Sequence, residues 1–547
     1  MQVKPAIIMA GIGLLLTAET LREGPQVATF FSDIDDTDQP YALYVPKAYS
    51  AEKKYPLVIS LHGAGSNHRL NLRRVFGKGN LVNETDAEAT RYFPKLPDIE
   101  FIVASPLARG TMGYQGIAEH DVYDVLADVK KRFSIDEDRV YLTGLSMGGG
   151  GALWLGLTRP DIWAAAAPVC AAAPEQTKLF ARNALNVPMH LFQGSLDPVV
   201  PVESSRAWRR TLLDFHSPVE YTEYPNVRHN AWDYAYKNTA IFEWFSKFRR
   251  NRFPERVRFS TDRYKYRSAY WVQLDGLTPG TPAGIDAKFT GTDRLEIVTS
   301  NLLGFTLKLN GHPLLSGKKP LIITIDGQRM KSAFSFTKVN GQWQAGSYAA
   351  SLGAKRPGEE GPVTEALSSR HVYVYGTDGS PEVDDLKARR AAALEGAEWS
   401  KPRSRLLLAL RALSDKEVIA SKDLSGANLI LFGTKETNEL IRRFDARLPL
   451  SLNAGAADYG LVFIYPIDGR LALINSGLPW WTGADQLADG GLRFVPMQYR
   501  VLDRVGDFVL FKGSLENIVA EGYFTNDWKL PEAAAQKMKA AGAVEVR

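Results

Sequence analysis

Arg139-Val140-Tyr141-Leu142-Thr143-Gly144-Leu145-Ser146-Met147-Gly148-Gly149-Gly150-Gly151-Ala152 is the stretch on which the reading of this chain turns. Val140 to Thr143 are strand formers, and the small residues from Gly148 onward predict a helix lying close against a sheet. Gly144 and Gly148 stand two residues either side of Ser146 and let the backbone turn sharply from strand into helix. Such a turn would hold the Ser146 hydroxyl at the C-terminal edge of the sheet. Gly-x-Ser-x-Gly alone arises by chance in many chains. The strand before it and the helix after it are what give it meaning.

The surrounding sequence supplies the sheet. Tyr41–Val45, Leu57–Leu61 and Ile99–Ala104 read as strands ahead of Ser146. Between Glu119 and Phe133 apolar residues recur at Val122, Val125, Leu126 and Val129, the spacing of a helix face. Ala164–Val169, Met189–Phe192 and Val219–Tyr224 read as strands after it, with a helix near Glu203–Asp214. A closing helix is expected from Asn230 to about Phe248. Strands alternating with helices predict a mostly parallel sheet covered on both faces.

A serine hydroxyl is a poor nucleophile until a base takes its proton. Asp197, in Gly194-Ser195-Leu196-Asp197-Pro198, and His229, in Asn226-Val227-Arg228-His229-Asn230, each follow an expected strand directly. Both would reach the edge that carries Ser146. His229 is then the candidate base and Asp197 the group that orients it. The rivals are placed worse. His216, Asp214 and Glu203 belong to a helix or its end, whereas His62, His68 and His120 precede Ser146. The developing oxyanion also needs donors. Leu61-His62-Gly63-Ala64-Gly65 follows an early strand, so Ala64 N–H, with Gly63 or Gly65 as alternatives, and Met147 N–H are the candidates.

At these residues the chain resembles secreted bacterial α/β-hydrolases grouped around polyhydroxybutyrate depolymerases, feruloyl esterases and prolyl-oligopeptidase-like esterases. The resemblance rests on Tyr44-Val45-Pro46, Leu61–Gly65, Arg139–Gly149, Gly194–Pro201 and His229-Asn230-Ala231-Trp232. It covers about residues 27–250, under half of the chain. It implies an α/β fold and ester hydrolysis through an acyl-enzyme at Ser146, Asp197 and His229. No metal or organic cofactor is expected. Two alternatives stay open: a prolyl-oligopeptidase-like peptidase, and a polysaccharide-binding protein with a vestigial hydrolase domain. A β-propeller ahead of the catalytic domain would favour the peptidase, but here the catalytic pattern starts near the N-terminus. The stretch between Cys170 and Val187 is too short for a large lid. Tyr114 and Trp232 are candidate walls of the acyl pocket, and Arg69, Arg73 and Arg74 in the Ser66–Pro97 insertion are candidates to shape it.

Behind Arg249-Arg250-Asn251-Arg252-Phe253-Pro254 the texture changes. Short β-forming runs with Asn310-Gly311 and Asp326-Gly327 predict a small β-sandwich with hairpin turns. From about residue 365 strands and helices alternate again. Two of these strands run into Gly376-Thr377 and Gly433-Thr434, turns that could cradle an anion but are more often merely tight. The expected organisation is an export signal at 1–24, a catalytic α/β-hydrolase domain at 25–253, a β-sandwich-like domain at 254–355 and a second α/β domain at 356–547.

The export signal rests on Lys4 followed by the apolar run Ala6–Leu16, which is too short to span a bilayer. It predicts a secreted or periplasmic protein, and no other segment reads as a membrane span. Cys170 is the only cysteine, which excludes an internal disulfide and a multi-thiolate metal site. A net charge of +5 over 547 residues, with no aromatic-interleaved basic tract, points away from nucleic acid. The densest basic patch, Lys401–Arg405, reads as solvated surface. The expected partner is an ester substrate, with polysaccharide-linked esters among the candidates. Trp480-Trp481 looks exposed and motivates the binding-protein alternative. Oligomeric state is left open.

Overall fold

The computed structural model describes residues 22–278, 280–399, 406–484 and 497–547, with the side chains of 497 and 498 excepted. Nearly all of the expected export signal and the basic patch 401–405 lie outside the described residues. Among the described residues, no helix is long and apolar enough to cross a membrane.

The first region is built on eight strands: β1 (Gly24–Ser32), β2 (Thr37–Val45), β3 (Tyr55–Leu61), β4 (Ile102–Pro106), β5 (Ile135–Leu145), β6 (Ala165–Val169), β7 (Met189–Gly194) and β8 (Val219–Tyr224). Their spatial order is β1-β2-β4-β3-β5-β6-β7-β8. β1 pairs with β2, and β2 with β4, antiparallel; the remaining pairs are parallel. Parallel strands carry helices on both faces, so their residues must be apolar throughout. β3, β4 and β6 are buried along their whole length. The helices Ile117–Arg132, Met147–Thr158 and Val202–Asp214 connect successive parallel strands. Parallel order brings the C-terminal ends of β3, β5, β7 and β8 to one edge, and this places the site.

Two local expectations change. The fourth strand begins at Ile102 rather than Ile99. The single closing helix is three short pieces, Trp232–Ala235, Lys237–Thr239 and Ala240–Phe245. Asn238 and Thr239 take φ of 52° and 60°, in the left-handed region, and that breaks the helix.

The β-rich region holds two five-stranded sheets. One is built from Ser268–Ala269, Val272–Leu277, Leu302–Leu307, Ser335–Val339 and Gln342–Ala345. The other uses Arg256–Thr261, Ala283–Gly291, Arg294–Ser300, Ile322–Ile325 and Gln328–Met330. Trp271, Phe305, Phe336 and Trp343 belong to the core of this region. Asp326-Gly327, with φ of 49° and 83°, makes a two-residue hairpin as expected. Asn310-Gly311 does not: the strands on either side of it lie in different sheets.

The C-terminal region carries a seven-stranded mixed sheet. Arg411–Ser414, His371–Tyr375, Asn428–Phe432 and Arg470–Gly477 run parallel; Tyr459–Ile467, Phe508–Lys512 and Ser514–Gly522 follow antiparallel. At the first Gly-Thr turn the protein supplies its own anion. Buried Asp415 accepts the Thr377 N–H at 3.0 Å, the Thr377 hydroxyl at 2.6 Å and the Glu439 N–H at 2.8 Å. Trp480 is wholly buried and Trp481 half-buried, and both rings pack on Phe432. The pair is therefore core, not an exposed binding patch.

The regions meet over different kinds of surface. One continuous cluster of buried apolar side chains runs from β1–β7 into the C-terminal sheet, and Tyr266 is the member that the β-rich region adds to it.

Candidate active site

Ser146 directly follows β5 and takes φ of 56° and ψ of −116°. This backbone is strained for a residue with a side chain, at a cost of about 1–3 kcal/mol. The surroundings impose it. Ser146 N–H donates to Val169 O at 2.8 Å, and Ser146 O accepts from Gly150 N at 3.0 Å and Ala172 N at 3.1 Å. A side chain at Gly148 would collide with the Leu61 and His62 carbonyls, so only glycine lets the helix start this close to β3.

Asp197 and His229 come from the loops after β7 and β8, which are laced together. Leu196 N–H donates to Val227 O, and Asn226 N–H to Ser195 Oγ, both at 2.9 Å. A Cβ at Gly194 would strike the carbonyls of Val227 and Arg228. The result is a hydrogen-bonded relay. His229 Nδ1 lies 2.8 Å from Asp197 Oδ2, and His229 Nε2 lies 2.9 Å from Ser146 Oγ. A carboxylate can only accept, so Nδ1 carries the proton and Nε2 is left to accept from the Ser146 hydroxyl. Ser146 is 6% and Asp197 8% exposed.

Asp197 is held at both oxygens. Its Oδ1 accepts the N–H groups of Val199 and Val200 at 2.8 and 2.9 Å. Its Oδ2 also accepts from Gln193 Nε2 at 3.1 Å, and Gln193 Oε1 in turn accepts from Ser205 Oγ at 2.7 Å. Gln193 and Ser205 are buried, and neither stood out in the sequence. The available signal was Gln193 at the end of a strand, four residues before the carboxylate.

The loop after β3 lies against the nucleophile. A Cβ placed on Gly63 would be 2.8 Å from the Leu145 side chain and 3.4 Å from Ser146 Cβ. Gly65 N–H is already donated to Thr111 Oγ1 at 2.8 Å, which removes Gly65 from the three candidate oxyanion donors. Met147 opens the helix after Ser146, where a first-turn N–H has no carbonyl within its own helix to bond. His62 belongs to the scaffold: its ring spans the carbonyls of Gly63 and Leu107 at 2.8 Å each, and burial lowers its pKa.

Tyr114 does not line an open pocket. It is 3% exposed, its hydroxyl donates to His62 O at 3.0 Å, and its ring fills the space a Gly151 side chain would need. It props the loop from behind. Trp232 is half-buried beside the relay, edge-on to His229 at 5.4 Å between ring centres, with the Arg74 guanidinium over its face at 5.5 Å. Arg73 points into the protein instead, bonded to Glu84 and to the Gly79 and Ala89 carbonyls. Arg69 stacks on Phe93.

Cys170, Asp197 and His229 bring ligand-type atoms within 4.8 Å of one another. Burial pushes the Cys170 thiol up to about 12, and Asp197 and His229 already bond each other, so this set is poorly suited to a cation.

Residues 118–242, which contain Ser146, Asp197 and His229, match the family model described as phospholipase/carboxylesterase. Similar solved structures include a thermostable esterase at 28% identity, with 41% of this chain and 63% of that one aligned and a TM-score of 0.34. A ferulic acid esterase aligns at 19% identity over 41% of this chain and 98% of that one, with a TM-score of 0.32. A ferulic acid esterase of Anaeromyces mucronatus aligns at 18% identity over 41% and 91%, with a TM-score of 0.30. The chain thus spans under two thirds of the length of the thermostable esterase. Strand order, the turn at Ser146 and the family match together make the first region an α/β-hydrolase fold.

Proposed function

We propose that this chain, whose first region has the α/β-hydrolase fold, is a serine carboxylic-ester hydrolase with Ser146, His229 and Asp197 as its catalytic residues. The single observation that carries the reading is the continuous relay from Asp197 Oδ2 through His229 to Ser146 Oγ. His229 Nε2 takes the hydroxyl proton as Ser146 Oγ attacks the ester carbonyl carbon. The resulting oxyanion is held by the N–H groups of Ala64 and Met147. Collapse expels the alcohol, which leaves with the proton from His229. Water, deprotonated by His229, then attacks the acyl-Ser146 ester; the acid departs and Ser146 regains its proton. Asp197 stays ionised throughout and stabilises the imidazolium.

Feruloyl- or acetyl-type esters of plant polysaccharide are the substrates we favour, with Trp232 as a wall for the acyl group. We read the chain as a catalytic domain followed by two further domains, exported by its N-terminal segment. A periplasmic or medium fraction whose protein starts near residue 24 would support export.

The test is turnover of p-nitrophenyl acetate, methyl ferulate and a proline-containing peptide anilide by the full chain. The reading expects the esters to be cleaved. Ser146→Ala should remove about 10³-fold or more of kcat with the circular dichroism spectrum retained. Cleavage of the anilide alone would replace the esterase with a peptidase.

A further inference from the structure

A cleft of about 840 Å³ is lined by segments that follow β6 and β7 at the edge of the sheet that carries Ser146, and two regions of the chain build it. On the hydrolase side its wall includes Ala171 and Ala172, in the loop after β6, and Val199 and Val200, in the loop that carries Asp197. These are site segments: Ala172 N–H donates to Ser146 O, and the Val199 and Val200 N–H groups hold Asp197. The opposite wall includes Tyr499, Arg500 and Asp503, from the C-terminal region of the chain. That wall is anchored. Tyr499 is buried, its ring packs on Trp399 at 4.7 Å, and a Cβ on Gly116 would fall 2.9 Å from its hydroxyl. Asp503 is exposed into the cleft.

The lining chemistry selects a class of ligand. Acidic and basic groups are interspersed: Glu175 pairs with Lys178 at 2.6 Å, and Asp503, whose carboxyl desolvation pushes up to about 7, stands near Arg500. Among the described residues that line it, no cluster of one sign is available for a phosphate or a polyanion. Carboxylates, the Lys178 ammonium, the Arg500 guanidinium and the Gln115 amide line it together with apolar Met112 and Ala171. A group with many hydroxyls and an apolar C–H face meets both demands.

We propose that the C-terminal α/β region completes the substrate site, and that the cleft between it and the hydrolase sheet holds an uncharged, hydroxyl-rich alcohol portion of the ester, such as a glycosyl unit. This rests on the esterase reading above. The acyl group then faces Trp232 on the other side of Ser146. The alcohol leaves into a cleft whose far wall is the C-terminal region.

The experiment compares two acetyl esters, p-nitrophenyl acetate and acetylated xylobiose, on the full-length protein. The variants are Asp503→Ala and Arg500→Ala on the far wall, and Ala207→Trp, which fills the cleft from the helix after β7. In each variant the ratio of kcat/KM for the sugar ester to that for p-nitrophenyl acetate should fall about 10-fold, through the loss of one or two polar contacts in Asp503→Ala and Arg500→Ala and through lost space in Ala207→Trp. A ratio within twofold of wild type in all three variants would overturn the proposal. Calorimetric titration of Ser146→Ala protein with xylobiose separates the two layers. Binding that Ala207→Trp removes supports the cleft even if no ester is turned over. Turnover of p-nitrophenyl acetate without any xylobiose binding leaves the esterase standing and removes the cleft as its alcohol site.

Discussion

The β-rich region closes a core of its own, whereas the C-terminal region shares one with the hydrolase sheet. Between the hydrolase and the β-rich region the seam is largely polar. Buried Asn183 donates to Ser260 O at 3.0 Å and accepts Ser260 N–H at 2.7 Å, Arg258 donates to Phe215 O, and Tyr270 to Pro160 O. Between the hydrolase and the C-terminal region the apolar side chains are continuous, with Arg370–Asp36 at the rim and the Ala409 N–H donated to Asp35, whose carboxylate is buried against Arg109. Polar seams contribute little net free energy per bond, while apolar burial adds up with area. The β-rich region should thus be able to melt alone, and the C-terminal region should not.

The largest effects that could break this contrast are core truncations. Trp343→Ala empties the β-rich core and Trp480→Ala the shared one, each at a cost of about 3–5 kcal/mol. Calorimetry of Trp343→Ala should show an early separate transition with ester turnover preserved through it. In Trp480→Ala, turnover should be lost in the same transition that melts the hydrolase. Loss of turnover along with the early Trp343→Ala transition would end the distinction.

Asn183→Ala strips both bonds from Ser260 and leaves buried backbone groups unpaired. About 1–3 kcal/mol should be lost. The loss should appear as earlier proteolytic nicking between residues 249 and 256, with the activity melt unmoved. Arg370→Ala removes ion pairs to Asp36 and Asp423 and a bond to the Asp33 carbonyl at the rim of the shared core, where Arg370 is 20%, Asp36 47% and Asp423 64% exposed. Chemical denaturation should register no more than about 1 kcal/mol.

The smallest effect is one of pH. Burial alone would raise Asp136 and Asp138, but hydrogen bonds from Arg249 and Arg139, and from Arg252 and Arg250, outweigh it. They bring Asp136 down to about 2 and hold Asp138 below the usual carboxylate range. Because these pKa values are depressed in the folded state, the stabilisation is complete above about pH 4 and is lost as pH falls toward 2. Acid titration should therefore loosen the Arg249–Arg252 link before neutral-pH contacts fail, seen as nicking that rises below pH 4. Replacing both, Asp136→Asn with Asp138→Asn, should remove that pH dependence; its persistence would assign the acid sensitivity elsewhere.

The geometry of the candidate site was legible because its parts are local. A strand ending at Leu145, a turn that needs glycine on both sides and a helix after it are encoded within a few residues. Asp197 and His229 are each announced by the strand ahead of them. What escaped the sequence depends on distant partners. Tyr114 reads as a pocket wall until the approach of Gly151 buries it. Trp480-Trp481 reads as exposed until Phe432 covers it. Gln193 is an ordinary strand residue until Ser205, on the next helix, turns its amide toward Asp197. The Asn310-Gly311 turn is read correctly as a turn, but which sheet follows it is decided by pairing across the region. The Gly-Thr turn at 376 resembles an anion cradle because only the fold reveals that Asp415 fills it.

The shared core also has a consequence for biosynthesis. Ser146 and its partners leave the ribosome with more than half of the chain still unmade. The apolar side chains of the hydrolase that share this core stay without their C-terminal neighbours until strands as late as Phe508–Lys512 are translated. During that interval the nascent hydrolase carries an open sticky side. Slow translation or a premature stop within the last third would then yield an aggregating chain rather than a smaller working enzyme.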